Sequence, residues 1–95
     1  MSKVIDSAVA ALNEKLKGFD EGTAKFVIKD EGAIMVDGDG ARIGDDEADV
    51  TVTATQEVFE GLLDGSVNPT TAFMMGKLAI EGNMGLAMKL GSALV

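Results

Sequence analysis

Cysteine and histidine are both missing from this chain. Their absence removes disulfides, thiolate nucleophiles, histidine-based triads and imidazole metal sites together, and a cysteine-free chain suits a reducing compartment. Positive charge is sparse: 8 Lys and Arg face 16 Asp and Glu, a formal charge of −8. That balance opposes phosphate backbones and anionic membrane surfaces, so nucleic acid is not an expected partner. No apolar run approaches the roughly 18 residues of a membrane span, so no stable membrane insertion is expected. The amino terminus lacks the basic and apolar regions of a signal peptide, and Ser92-Ala93-Leu94-Val95 is not a peroxisomal address of the Ser-Lys-Leu type. A cytoplasmic location is therefore expected. Aromatics are few, with 4 Phe and neither Trp nor Tyr, whereas 6 Met are many for 95 residues.

A chain of this length holds one core, read as a single domain over 1–95. Val4 or Ile5, Ala8, Val9, Leu12 and Leu16 recur at helical spacing opposite Lys3, Asp6, Asn13, Glu14 and Lys17. Gly18 stops that helix, and Phe19 is expected to tuck back onto the core. From Thr23 the period falls to two. Ala24, Phe26 and Ile28 face one way and Lys25 and Lys29 the other; Asp30-Glu31-Gly32 turns into Ala33–Val36, and Asp37-Gly38-Asp39-Gly40 turns again into Ala41–Ile43. An acidic loop follows from Gly44 to Ala48, then a strand from Asp49 to Thr53 with Val50 and Val52 inward. The outward positions carry Lys25, Lys29, Asp37, Arg42, Thr51, Thr53, Lys77 and Glu81, which predicts one wet sheet face with every helix on the other. Val27 and Met35 fall on the wet face by parity, so a bulge or a small oligomer contact is expected there.

Thr55 caps the next helix, with Glu57 in its first turn; Val58, Phe59, Leu62 and Leu63 form its apolar side and Gly65 ends it. Asn68-Pro69 is a cap followed by proline at the first helical position. Gly76 closes that short helix, Lys77 to Glu81 alternates as a fifth strand, Gly82 ends it, and Asn83 caps a last helix from Met84. On that helix Gly85, Lys89 and Ser92 share a narrow polar arc, leaving roughly 220° apolar or small where about 100° suffices for a surface helix. The apolar arc divides into Leu86, Leu90 and Leu94 on one side and Met84, Met88 and Val95 on the other. One side can meet the sheet; the other is left wanting an apolar partner. Met adapts to irregular contents, and the cluster Met74, Met75, Met84 and Met88 suits a malleable wall.

Enzyme-like chemistry finds little support. Asp37-Gly38-Asp39-Gly40 opens like a calcium loop but places Ala41 and Arg42 at the next required positions. Gly38, Gly40 and Gly44 precede strands rather than opening a helix, so they make no phosphate-binding fingerprint. Lys77 reads first as a strand-edge lysine on the wet face and second as an anchor for a ligand's polar head. Neither a catalytic residue, nor a metal site, nor a cofactor is expected.

The run Pro69, Ala72-Phe73-Met74, Gly76-Lys77-Leu78 and Gly82-Asn83-Met84-Gly85-Leu86-Ala87-Met88-Lys89-Leu90 resembles the most characteristic segment of the sterol carrier protein family. The match is ungapped, and the preceding elements follow the family's order. The resemblance implies an α+β fold: a five-stranded, mostly antiparallel sheet covered on one face by about four helices, with an apolar cavity between. It also implies non-catalytic binding and transfer of a sterol, fatty acid, acyl-CoA or phospholipid-like molecule. The lining residues expected on that basis are Phe59 and Leu62 from the middle helix, Phe73, Met74 and Ile80, and Met84, Met88 and Leu90 from the last helix. The partner is then a lipid or other long apolar ligand, held by a monomer or weak homodimer. The competing expectation is an accessory or dimerising protein that presents hydrophobic intermediates to a biosynthetic enzyme complex.

Overall fold

Period-two alternation predicts the sheet, and the computed structural model, which describes residues 3–16 and 19–94, forms all five strands, with buried and half-buried positions alternating strictly along 24–28 and 50–54. The order is α1 (Lys3–Lys15), β1 (Ala24–Ile28), β2 (Gly32–Asp37), β3 (Gly40–Ile43), β4 (Val50–Ala54), α2 (Gln56–Asp64), α3 (Pro69–Met74), β5 (Leu78–Gly82) and α4 (Met84–Leu94). The five strands lie in the order β3-β2-β1-β4-β5. β1 pairs antiparallel with β2 and parallel with β4; β2–β3 and β4–β5 are antiparallel. The sheet is thus mixed and mostly antiparallel. Its inner face presents Ala24, Phe26 and Ile28 beside Ile34 and Val36 on one flank and Val50, Val52 and Ala54 on the other, all buried.

Against that face α1 sets Ile5, Ala8 and Leu12, α2 sets Phe59 and Leu62, and α4 sets Leu86, Leu90 and Leu94, in one continuous core. The Phe26 and Phe59 rings meet edge to face with centroids 5.6 Å apart, the geometry their quadrupoles favour. Leu16 and Phe19 are both buried, and the Phe19 N–H donates to Leu16 O at 2.9 Å. The expected helix stop at Gly18, and the places of Lys17 and Val95 on their helix faces, lie outside the described residues.

The outer face departs from expectation. Met35 is only 1% exposed although it shares that face with Lys25 and Arg42. No bulge explains it, because the β1–β2 register runs unbroken from Ala24↔Val36 to Ile28↔Gly32. The topology does. With β1 and β4 parallel, the chain leaving β3 must cross β2 and β1 to reach β4, three strand spacings or about 14 Å. Residues 44–49 make that crossing over the outer face. Gly44 lies so close that a β-carbon there would sit 3.0 Å from Met35 Cγ, and Lys25 Nζ holds Asp45 Oδ1 at 2.8 Å. The apparent misfit in the pattern is therefore the floor beneath a strap. The Asp45 carboxylate is 77% exposed, so Asp45→Asn should cost under about 1 kcal/mol in a urea titration.

In the β2–β3 hairpin, Asp37 Oδ2 accepts from Arg42 Nη2 at 2.8 Å and Oδ1 from the Asp39 N–H at 2.9 Å. The Arg42 hydrogen bond first, and then that of Asp39, keep the Asp37 carboxyl below its ordinary value of 3.8. A depressed carboxyl contributes stability that is present above its unfolded value and lost as pH falls through its folded one. Arg42→Ala should accordingly raise the Asp37 titration midpoint, which carbon-detected NMR of the carboxyl would read.

Candidate binding groove

Local chemistry places the two helices that form the groove. Asn68 Oδ1 accepts from the Thr71 N–H at 3.1 Å, opening α3 with Pro69 at its first position. At the other end Gly76 takes φ +76°, its N–H donates to Phe73 O at 3.1 Å, and the Lys77 N–H donates to Ala72 O at 2.8 Å. Those two crossed bonds make a Schellman stop. β5 then pairs with β4, setting Ile80 opposite Val52 and Gly82 opposite Val50. Gly82 adopts φ +104°; a β-carbon there would overlap Asp49 O and stand 3.1 Å from Val50 Cα. The Asn83 N–H donates to the same Asp49 O at 2.9 Å, while Asn83 Oδ1 caps α4 through the Leu86 N–H at 2.9 Å. With both ends of this corner tied to β4, the rotation of α4 about its axis is set. Asn83→Ala removes that cap and should lower stability by about 1 kcal/mol, measured as a reduced denaturation midpoint at unchanged m-value.

The set rotation sorts the apolar arc of α4. Leu86, Leu90 and Leu94 are buried against the sheet, while Met84 is 45% and Met88 74% exposed. Lys89, on the polar arc, pairs with Glu21 at 2.8 Å. α3 approaches the Met side closely: a β-carbon on Gly91 would lie 3.8 Å from Pro69 Cβ. Between α3, α4 and the inner face of β5 runs a groove of about 440 Å³, lined by Asn68, Pro69, Thr70, Phe73, Ile80, Met84, Ala87, Met88, Gly91 and Ser92. Not one of these carries a charge.

Of the eight residues expected from the sequence, the structure brings four together here: Phe73, Ile80, Met84 and Met88. Leu90 and Leu62 are buried in the core at 1% and 2% exposure. Phe59 is also a core residue, and its edge reaches a separate depression of about 480 Å³ between α1 and α2, with Val4, Ala8, Ala11 and Leu63. Met74 stands 79% exposed and lines neither space. The expected space between sheet and helices is here a groove open to solvent where α3, α4 and β5 meet. Sequence reasoning missed Ala87 and Gly91, although their signal was present: they follow Met84 at i+3 and i+7, and small residues at that spacing leave room between helices. It also missed Asn68, Pro69 and Thr70, which read as helix punctuation, and Ser92, which read as polar arc. The Lys77 side chain is exposed and, among the described residues, its ammonium has no hydrogen-bonding or ionic partner; it does not line the groove.

Comparison with known proteins places the chain in company. Residues 3–95 match the model of the SCP-2 sterol transfer family. The chain is 38% identical over 87 residues to human hydroxysteroid dehydrogenase-like protein 2, an alignment covering 92% of this chain and 20% of that protein. It thus spans about a fifth or less of the length of the curated relatives it matches. Among solved structures, sterol carrier protein domain 2 of Helicoverpa armigera superposes with a TM-score of 0.75 at 30% identity, covering 96% of this chain and 85% of that one. Sterol carrier protein 2 of Aedes aegypti, solved in complex with palmitate, gives a TM-score of 0.80 at 21% identity over 100% and 97% of the two chains.

Proposed function

The chain belongs to the SCP-2 sterol transfer family, and from that premise we propose that it binds a lipid without catalysis, in the groove between α3, α4 and β5. The observation that carries this reading is the exposed Met84–Met88 side of α4, which faces Phe73 and Ile80 across a groove without charge. A long apolar molecule laid there would be stabilised by desolvation, at about 25 cal/mol per Å² of apolar area removed from water. Thioether side chains adapt to guests of differing girth. The palmitate held by the Aedes aegypti relative supports a lipid as the guest class. Transfer between membranes would follow if the Met side of α4 opens to release its contents.

Organic extraction of the purified protein, with native mass spectrometry of the unextracted sample, tests the proposal. A co-purified lipid on a monomer is the expected result. A ligand-free dimer would favour the accessory, self-associating reading and set this one aside.

A further inference from the structure

Sulfur is the reactive element on the groove wall. With cysteine absent from the chain, its thioethers are the side chains a mild oxidant attacks first, and the fold divides them by their surroundings. Met35 lies 1% exposed beneath the strap of residues 44–49. Met74 and Met75 stand exposed at the end of α3 and line no part of the groove, whereas Met84 and Met88, also exposed, line it one helical turn apart. Two reachable thioethers are thus on the wall, two are off it and one is sealed away.

Resting on the lipid-binding reading above, we propose that Met84 and Met88 are modification sites at which hydrogen peroxide, by forming methionine sulfoxide, reversibly empties the groove. The thioether sulfur attacks one peroxide oxygen; the S–O bond forms as the O–O bond breaks, and the departing hydroxide takes the proton from the new S–OH to leave as water. Sulfur is oxidised and the peroxide reduced by the same electron pair, so no other reactant is needed. A flexible apolar wall residue becomes a polar one. Phe73 and Ile80 across the groove, and Ala87 beside Met84, offer the new oxygen no side-chain donor. Ser92, one turn beyond Met88, serves one sulfoxide at most. In the empty protein both sulfoxides keep their hydration, and the fold is unaffected because Leu86, Leu90 and Leu94 hold α4 to the core from its other side. Once an apolar guest arrives, each sulfoxide must turn out of the wall, withdrawing its apolar contact, or be covered without its water. The exposure that admits peroxide also admits the reductases that return the sulfoxide to a thioether.

For the test, the intact protein is treated with hydrogen peroxide and freed of it, its sulfoxides are located by peptide mass spectrometry, and it is titrated with Nile red, a neutral apolar dye. Sulfoxide is expected at Met84 and Met88 while Met35 stays reduced and the circular dichroism spectrum is unchanged, with the dye bound about tenfold more weakly. The two methionine sulfoxide reductases, one for each epimer, should with dithiothreitol restore the affinity to within about twofold of the untreated protein. Met74→Leu with Met75→Leu should leave dye affinity, and its loss on oxidation, as in the parent. Met84→Leu with Met88→Leu should lose no affinity on oxidation, judged against its own untreated value; if that variant binds no dye, the reductase rescue of the parent decides. Undiminished dye affinity in protein carrying both sulfoxides, or a loss the reductases do not reverse, overturns the inference and leaves lipid binding standing. Failure of the dye to bind the untreated protein overturns the lipid-binding reading and this inference with it.

Discussion

Met84→Arg is expected to cut uptake of a fluorescent sterol at least tenfold while leaving a folded circular dichroism spectrum. Met84 sits at the first position of α4, 45% exposed, and lines the groove. In the empty protein a guanidinium can extend into water from there, so the fold tolerates it. Once an apolar guest lies along Phe73 and Ile80, the charge must either leave the wall, taking its share of apolar contact with it, or stay and be desolvated without a partner. The first course forfeits a Met burial of about 1.5–3 kcal/mol, which is ten- to hundredfold in affinity; the second costs more. Gly91→Leu approaches the same point by volume, since Gly91 lines the groove and a side chain there would occupy part of its space. Undiminished uptake by both variants would show that the guest lies elsewhere, with the depression between α1 and α2 next to test.

Gly82→Ala is expected to be the most damaging added methyl among the described glycines for stability. Two penalties coincide there. At φ +104° an L side chain is strained, at about 1–3 kcal/mol, and the added carbon would overlap Asp49 O in a corner built of backbone that cannot swing aside, at about 1–3 kcal/mol more. A loss of about 2–6 kcal/mol corresponds to a melting point lower by about 10 °C or more for a domain of this size. Failure to accumulate as folded protein is the same result in its extreme form. Because the Asn83 cap hangs from the same Asp49 carbonyl, α4 and one wall of the groove should loosen together, detectable as faster amide exchange in α4. A melting point within about 2 °C of the parent would contradict the close approach of β5 to Asp49.

Features that depend on neighbours in sequence were legible. Thr55, Asn68 and Asn83 cap their helices as the chain order suggests, each side-chain oxygen accepting from the N–H three residues on. A cap is a contact within one turn and needs no tertiary partner. Strand parity was equally readable, as was the division of α4 into a Leu side and a Met side, because helical periodicity acts on the residue's own position. Features that depend on what a strand or helix meets were not. Phe59 and Leu62 form an apolar stripe that suits a packed core as well as a cavity wall, and only packing against Phe26 assigned them to the core. Met74 belongs to the same Met cluster as Met84, but one step along a helix turns a side chain by about 100°; Phe73 faces α4 and Met74 faces water.

By itself, the sequence determined the elements, their caps, the inner and outer faces of the sheet, and the presence of an apolar helix side in excess of what the core needs. Tertiary structure decided that β1 lies parallel to β4, which obliges residues 44–49 to cross the outer face and cover Met35. It also decided that α3 closes on α4 at Pro69 and Gly91, turning a surplus of methionine into a groove. The physical reason is the same in both cases. Periodicity records how each residue is oriented about its own element, whereas a covering loop or a groove exists only between elements distant in the chain, whose meeting is settled by the joint packing of the whole core.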